Sequence, residues 1–387
     1  MHQDGILLFL LAAALIVLPR LAGAMRVSTS VLEILFGVVL GQSLLGFEPH
    51  GEWLEVLARF GFLVLMFHAG MEIDFKVLLS QRRRLLVFQV VLFLSTVCLA
   101  ELAVVLMGMH PFMALVLSTT SLGLVVPALK ETNITATRLG QTILIAATLA
   151  DFLTLLGITF FVLGYRYGLC LDLITPVPLF VGFALLLWAA RLWAWWHPDK
   201  AEVFLRPGDA REPGVRLSMA LLLLFAALSE MVHLEPVLGA FMGGCIISFV
   251  FREKEELESK ISAIGFGFLT PLFFIHVGMQ FDIANILTVD RLLFTAMLLG
   301  VGLTVKILPC LQFPLWGLRL GDGLRCGVLL SARLSLIVAA ASIGLEQGFL
   351  TPETKDAIVL LALLTCVIGP VGFKLLTPVR QGERFKF

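Results

Sequence analysis

Charge is scarce in this sequence. Only 14% of its 387 residues are Asp, Glu, Lys or Arg, against 59% apolar residues, where a soluble chain carries about a quarter charged. That scarcity excludes a soluble globular domain, because no aqueous core of this size absorbs so many apolar runs of twenty residues. Net charge is +0, so the overall balance suggests no nucleic-acid partner. The cysteines (Cys98, Cys170, Cys245, Cys310, Cys326 and Cys366) are scattered, with no CxxC pair and no Cys/His cluster. A disulfide framework and a structural metal site are thereby excluded. The longest polar segment, "HPDKAEVFLRPGDAREPGVR" at 197–216, is too short for a soluble domain. The first twenty residues lack the basic region and small-residue cleavage site of a signal peptide, and are expected to form a membrane helix that is kept.

What is present is a succession of apolar runs. Read between charged or Gly/Pro-rich breaks, they give thirteen candidate spans: 5–22, 27–46, 52–75, 85–108, 112–130, 139–165, 174–196, 214–232, 235–251, 261–280, 291–316, 323–345 and 356–377. The chain is therefore expected to be an all-α polytopic membrane protein. With the N-terminus outside, the inner loops collect most of the basic residues, among them Arg82, Arg83 and Arg84, Lys200, Arg206 and Arg211, and Lys374, Arg380 and Arg384. The outer loops keep only Arg59, Arg166, Arg291 and Lys355. This alternation follows the positive-inside rule, and places the C-terminus in the cytoplasm of a cell whose inner membrane the protein spans. Six spans starting outside, one linker span at 174–196, and six starting inside form the arithmetic of inverted six-helix repeats.

Four polar features fall near mid-depth. They are Asp151 in span 6, Lys306 in span 11, Arg333 in span 12, and the "STTS" of Ser118, Thr119, Thr120 and Ser121 in span 5. A lone charge at the bilayer centre costs about 2.5–3.5 kcal/mol even on a lenient scale, so three at one level imply a shared polar site. An inert pair of Asp151 with Lys306 is the structural alternative. Span 5 also has reason to unwind: Pro127 lacks the N–H that would bond Gly123, and the hydroxyl run weakens the preceding turn. An unwound turn exposes carbonyl oxygens and two half-helix ends at the midplane. In span 12, "SARLS" gives a weaker cue of the same kind. A carboxylate, hydroxyls and freed carbonyls are hard oxygen ligands for an alkali cation. One carboxylate holds a proton or a cation but not both, and competition for it from alternate sides yields antiport. Thr148 and Thr154 flank Asp151 on its face of the helix, and Thr148 is the preferred extra ligand.

Several stretches resemble, in order along nearly the whole chain, the cation:proton antiporter family 2. "ARFGFLVLMFHAGMEIDFKVLL" (58–79) is similar to its "LxxLGxxLLLFxxGLExD" signature, and "VLEILFGVVLGQSLLG" (31–46) to its early "GEIxAGxxxGP". "STTSLGLVVPALKE" followed by "LGQTILIAATLADFLTLL" resembles the broken helix and ion-binding helix. "GFLTPLFFIHVGMQFDI" (267–283) and "LLSARLSLIVA" resemble later motifs. The resemblance implies a sodium/proton-antiporter fold with two crossed discontinuous helices, working as a homodimer by elevator-type alternating access. Residues 1–80 and 214–283 would form the scaffold and dimer helices, 85–165 and 291–378 the ion-translocating core. It implies Asp151 as the Na+ or K+ and proton site, and Lys306 and Arg333 as compensating charges; Thr119, Thr120, Ser121 and Thr148 are expected as further ligands from their place beside it. Lys306 would pair with Asp151 when no cation is bound.

Two departures carry consequences. Ala150 stands where family members have Asn or Asp before the essential aspartate, so a single carboxylate exchanges one proton for one cation and electroneutral transport is expected. "RLS" replaces "RGE" after Ala332, which removes that helix's acidic contact. No enzymatic step, no cofactor and no nucleotide-gated domain within the chain is expected. Glu33 is read as a bridge between helices, Glu101 as snorkelling, Glu72 and Asp74 as a solvated cluster at the inner mouth, and His68 and His276 as hydrogen-bonded helix residues. Two other readings stay open: a non-transporting ion or pH sensor of the same fold, and a sodium-coupled organic-anion carrier.

Overall fold

Backbone groups in hydrocarbon have no water to bond, so a spanning segment must satisfy them internally. The computed structural model meets that demand with helices throughout its described residues, which are 2–25, 28–41, 44–47, 52–72, 83–135, 137–167, 182, 185, 189, 196, 212–231, 236–251, 255–281 and 288–377. In chain order the helices are α1 (His2–Met25), α2 (Thr29–Leu40), α3 (Trp53–Glu72), α4 (Arg83–Leu106), α5 (Phe112–Ser118), α6 (Leu122–Glu131), α7 (Arg138–Tyr167), α8 (Pro213–Met231), α9 (Pro236–Val250), α10 (Glu255–Ile264), α11 (Thr270–Met279), α12 (Val289–Cys310), α13 (Leu320–Leu330), α14 (Ser335–Glu346) and α15 (Pro352–Leu376). A π-helical turn, Gly265–Leu269, joins α10 to α11, and a 3-10 turn, Phe313–Trp316, follows α12.

Among the described residues eight helices are long and apolar enough to cross a membrane, or nine when α13 and α14, bent by 51°, count as one broken span. Each expected span except 174–196 is matched by a helix or a broken helix. That linker span lies almost entirely outside the described residues, as do the charged loops 73–82, 197–211, 252–254 and 378–387. Span 5 is interrupted, as expected, in the hydroxyl-rich turn that precedes Pro127. The interruption sits at Thr119–Ser121, and the backbone stays helical from Leu122 to Glu131. Proline costs α6 one ladder bond, whereas consecutive hydroxyl side chains compete with the backbone over the whole turn.

The chain divides into two compact units. One comprises residues 1–79 and 159–283, the other residues 80–158 and 284–387. In the first unit, α1 is apolar all round and buries one stripe, Leu7, Leu11, Ala14, Leu18 and Ala22, at i, i+4, i+7 spacing. Its opposite side, including Leu8 and Phe9, is exposed, as lipid requires of a peripheral span. Helices α2 and α11 meet backbone to backbone. A Cβ on Gly37 would collide with the carbonyl of Ile275, one on Gly41 with that of Met279, and one on Gly278 with that of Ile34. Close approach through small residues is the usual way helices associate without a hydrophobic driving force. Helix α3 packs on α9 around Val64, Phe67, Met71, Ala240 and Ile247.

The second unit repeats one pattern twice: straight helix, broken helix, straight helix, first as α4, α5/α6 and α7, then as α12, α13/α14 and α15. Residues of α7 beyond Ile158 belong to the first unit. Its core gathers Phe88, Val125, Ile143, Cys326, Leu329 and Phe373 around Phe313. The ring of Phe88 meets Phe313 edge-on at 5.2 Å and Trp316 at 5.1 Å. The ends of the two broken helices meet through Phe112 and Phe349, with ring centroids 5.2 Å apart.

Candidate functional site

The site lies within the second unit, at the break between α5 and α6. A helix that stops in mid-membrane leaves carbonyls with partial negative charge at its C-terminus and N–H groups with partial positive charge at the next N-terminus. Here each end meets an ionisable side chain of opposite sign. Lys306 of α12 is 3% exposed; its Nζ donates to the Ser118 carbonyl at 2.6 Å and to Thr120 Oγ1 at 2.8 Å. On the other side of the turn, Leu122 N–H donates to Asp151 Oδ2 at 3.2 Å. The ammonium therefore caps the end of α5 and the carboxylate caps the start of α6. The ammonium bonds one end of the broken turn and the carboxylate the other, so the two opposite charges face the same interruption.

Between these two clamps lie Thr119, Thr120 and Ser121, all buried. The carbonyls of Thr119 and Thr120 accept no backbone hydrogen bond among the described residues, so two hard oxygen donors stand outside the helical ladder. Ser118 and Thr119 turn their hydroxyls back onto the carbonyls of Ala114 and Val116, at 2.7 and 2.8 Å. That leaves each oxygen its lone pairs. Thr148, half-buried, donates to the Leu144 carbonyl at 2.9 Å. Thr154 is 0% exposed, and its hydroxyl has no partner among the described residues.

Arg333 lies in the break between α13 and α14 and is the largest fully buried side chain among the described residues. Its Nη2 donates to the Gly302 carbonyl, and its own carbonyl accepts from Cys366 Sγ at 3.1 Å. Nε and Nη1 have no partner among the described residues. Gly302 admits the guanidinium because it lacks a side chain: a Cβ there would lie 3.3 Å from Nη1 and 3.6 Å from Nη2. Gly302 and Lys306 are four residues apart on α12, so both buried cations are held by one face of that helix.

Glu33 is buried in α2 and Glu101 half-buried in α4. His68 Nε2 is 2.5 Å from Ser262 Oγ, and its Nδ1 is 3.5 Å from Glu72 Oε1. His276 lies 3.0 Å from the side-chain nitrogen of Gln280. Asp74 lies outside the described residues. No group of three His, Cys, Asp or Glu among the described residues is placed to hold a metal ion. Sequence reasoning missed the Ser118 carbonyl as an anchor for Lys306, because a backbone acceptor carries no residue signature.

A family model, described as the transmembrane sodium/hydrogen exchanger, matches residues 7–377. YjbQ of Bacillus subtilis is 30% identical over 370 residues, which cover 89% of this chain and 58% of that protein. The chain thus spans somewhat over half the length of that relative. The Na(+)/H(+)-K(+) antiporter GerN of Bacillus cereus is 26% identical over 383 residues, 95% of each chain. Among solved structures, the sodium proton antiporter MjNhaP1 of Methanocaldococcus jannaschii matches with a TM-score of 0.70 at 13% identity, over 97% of this chain and 98% of that one. The shared fold is that of this antiporter.

Proposed function

The chain belongs to the sodium/hydrogen exchanger family, and from that membership we propose that it exchanges a monovalent cation, Na+ or K+, for H+ across the membrane. The observation that carries the reading is the Asp151 carboxylate at the start of α6, beside two carbonyls outside the helical ladder. A cation arriving there finds the carboxylate, the carbonyls of Thr119 and Thr120, and the hydroxyls of Thr119, Thr120 and Ser121 of the same turn, with Thr148 one helical turn from Asp151 as the sequence's candidate for a further ligand. A proton takes the same carboxylate. The two ligands exclude each other, and binding from alternate sides couples their fluxes. Lys306 and Arg333 compensate the charge of the carboxylate when it holds neither a cation nor a proton.

With one carboxylate and Ala150 beside it, one proton leaves per cation bound, and the exchange is electroneutral. The name of GerN includes both Na(+) and K(+), which supports either ion as cargo. We assign the unit of residues 80–158 and 284–387 to the moving core, since it holds the site, and the other unit to a scaffold that pairs with its copy in a homodimer. Loop charge favours the N-terminus outside and the C-terminus in the cytoplasm, in the inner membrane.

The test is a proton-gradient dequenching assay in vesicles, with Na+, K+ and Li+ added to wild type and Asp151→Asn. Dequenching by Na+ or K+ that the substitution abolishes is the expected result. Undiminished activity in the variant removes Asp151 from the site. No signal in wild type leaves a non-transporting sensor of the same fold.

A further inference from the structure

Hydroxyls inside these helices commonly donate to the carbonyl four residues back, although the buried hydroxyls of Ser229 and Thr270 have no partner among the described residues. Thr96, Thr142, Thr148, Thr295, Thr304 and Thr365 bond in this way to Leu92, Arg138, Leu144, Arg291, Gly300 and Leu361. Thr154 does not, although the Ala150 carbonyl is in the same relation to it. Its hydroxyl is fully buried and without a partner among the described residues. Burying a hydroxyl unbonded costs stability that a valine of the same shape would not, and such a group in a native structure calls for a water or an ion.

Its position indicates which. Two contacts fix how α7 runs beside the broken helix. Asp151 Oδ2 meets Leu122 N–H at 3.2 Å, and a Cβ on Gly157 would lie 3.0 Å from Leu115 Cδ2. Residues 151, 154 and 157 follow one another at i+3 on a single stripe of the helix. Opposite them, the segment from Leu122 back to Leu115 contains the whole interrupted turn. Thr154, midway along the stripe, therefore stands level with the turn and with the carbonyl that Lys306 holds. Thr148 lies one turn to the other side of Asp151, beyond the start of α6.

We propose that Thr154, rather than Thr148, supplies the hydroxyl ligand of the transported alkali cation. Its oxygen accepts no hydrogen bond from the described residues and so presents its lone pairs to the ion; it takes no part in proton exchange. The proposal rests on the reading of Asp151 as the exchange site. Thr154 thus sets cation affinity, while Asp151 sets the coupling to protons.

The experiment compares Thr154→Val and Thr154→Ser with wild type in vesicles, titrating Na+, K+ and Li+ at fixed pH, with Asp151→Asn as control. Thr154→Val should raise the apparent KM for the preferred cation about tenfold, the scale of a lost bond to a charged group, with maximal rate retained. Thr154→Ser should restore it. In choline buffer the purified valine variant should unfold no earlier than wild type, and added cation should stabilise it less. An unchanged KM in the valine variant, failure of serine to restore it, or a valine variant already less stable in choline overturns the assignment. Absence of cation-driven proton movement in wild type, or full activity in Asp151→Asn, overturns the antiport reading itself and the assignment with it.

Discussion

Replacing Lys306 by methionine keeps the length of the side chain and removes its charge, so it isolates what the ammonium does for the broken turn. Wild-type Lys306 makes two short bonds, to the Ser118 carbonyl at 2.6 Å and to Thr120 Oγ1 at 2.8 Å, in a setting only 3% exposed. Hydrogen bonds from a charged donor contribute about 1.5–3 kcal/mol each, and the acceptors left behind stay buried. Relief from desolvating the ammonium offsets part of the loss. A net destabilisation of about 3 kcal/mol is expected, midway between those opposing effects. For a cooperative unit of this size that lowers the melting temperature by roughly 6–12 °C. Thermal unfolding of the purified protein in detergent, followed by tryptophan fluorescence, measures it directly. A Lys306→Met variant that melts at or above the wild-type temperature would refute the view that the ammonium is the cap of α5.

Further outcomes follow from the same geometry. Gly302→Ala places a Cβ 3.3 Å from Arg333 Nη1 and should cost about 1–3 kcal/mol through overpacking, read as a lowered melting temperature. Gly278→Val sets a branched side chain against the Ile34 carbonyl and should abolish the folded protein in membranes, assayed by monodisperse yield after detergent extraction. Because proton and cation contend for Asp151, the apparent KM for the cation should rise as pH falls while the rate at saturating cation holds; a KM flat from pH 6 to pH 9, taken as a range of about three units, would contradict competition. Exchange should also proceed at the same rate with membrane potential clamped at zero or imposed, and a change in rate under an imposed potential would rule out single-carboxylate stoichiometry.

The fold was readable in the sequence because its cause is coarse: long apolar runs separated by charge leave little choice but membrane helices. The breaks were only partly readable. Four consecutive hydroxyl residues mark the first, and Pro127 is a weaker cue that lies inside α6 rather than at the break. The second break, at Ser331–Leu334, had only small residues and a buried arginine to announce it. Asp151, Lys306 and Arg333 stood out because charge in hydrocarbon is costly wherever it appears. Their partners did not, since Ser118 and Gly302 act through backbone carbonyls that any residue possesses. The π-helical turn at Gly265–Leu269 had no signal beyond two glycines. Between Thr148 and Thr154 the sequence offers nothing but symmetry about Asp151; only burial and the missing back-bond tell them apart.

The seam between α2 and α11 bears on how this protein can move. Most packed helices touch through a layer of side chains, which can change rotamer and let one rod slip past another. Where Gly37, Gly41 and Gly278 bring main chain against main chain, that lubricating layer is missing, and a displacement along the seam must carry a carbonyl through its neighbour. The two helices are thus locked as a single beam, a stiff member against which other parts of the molecule can do work.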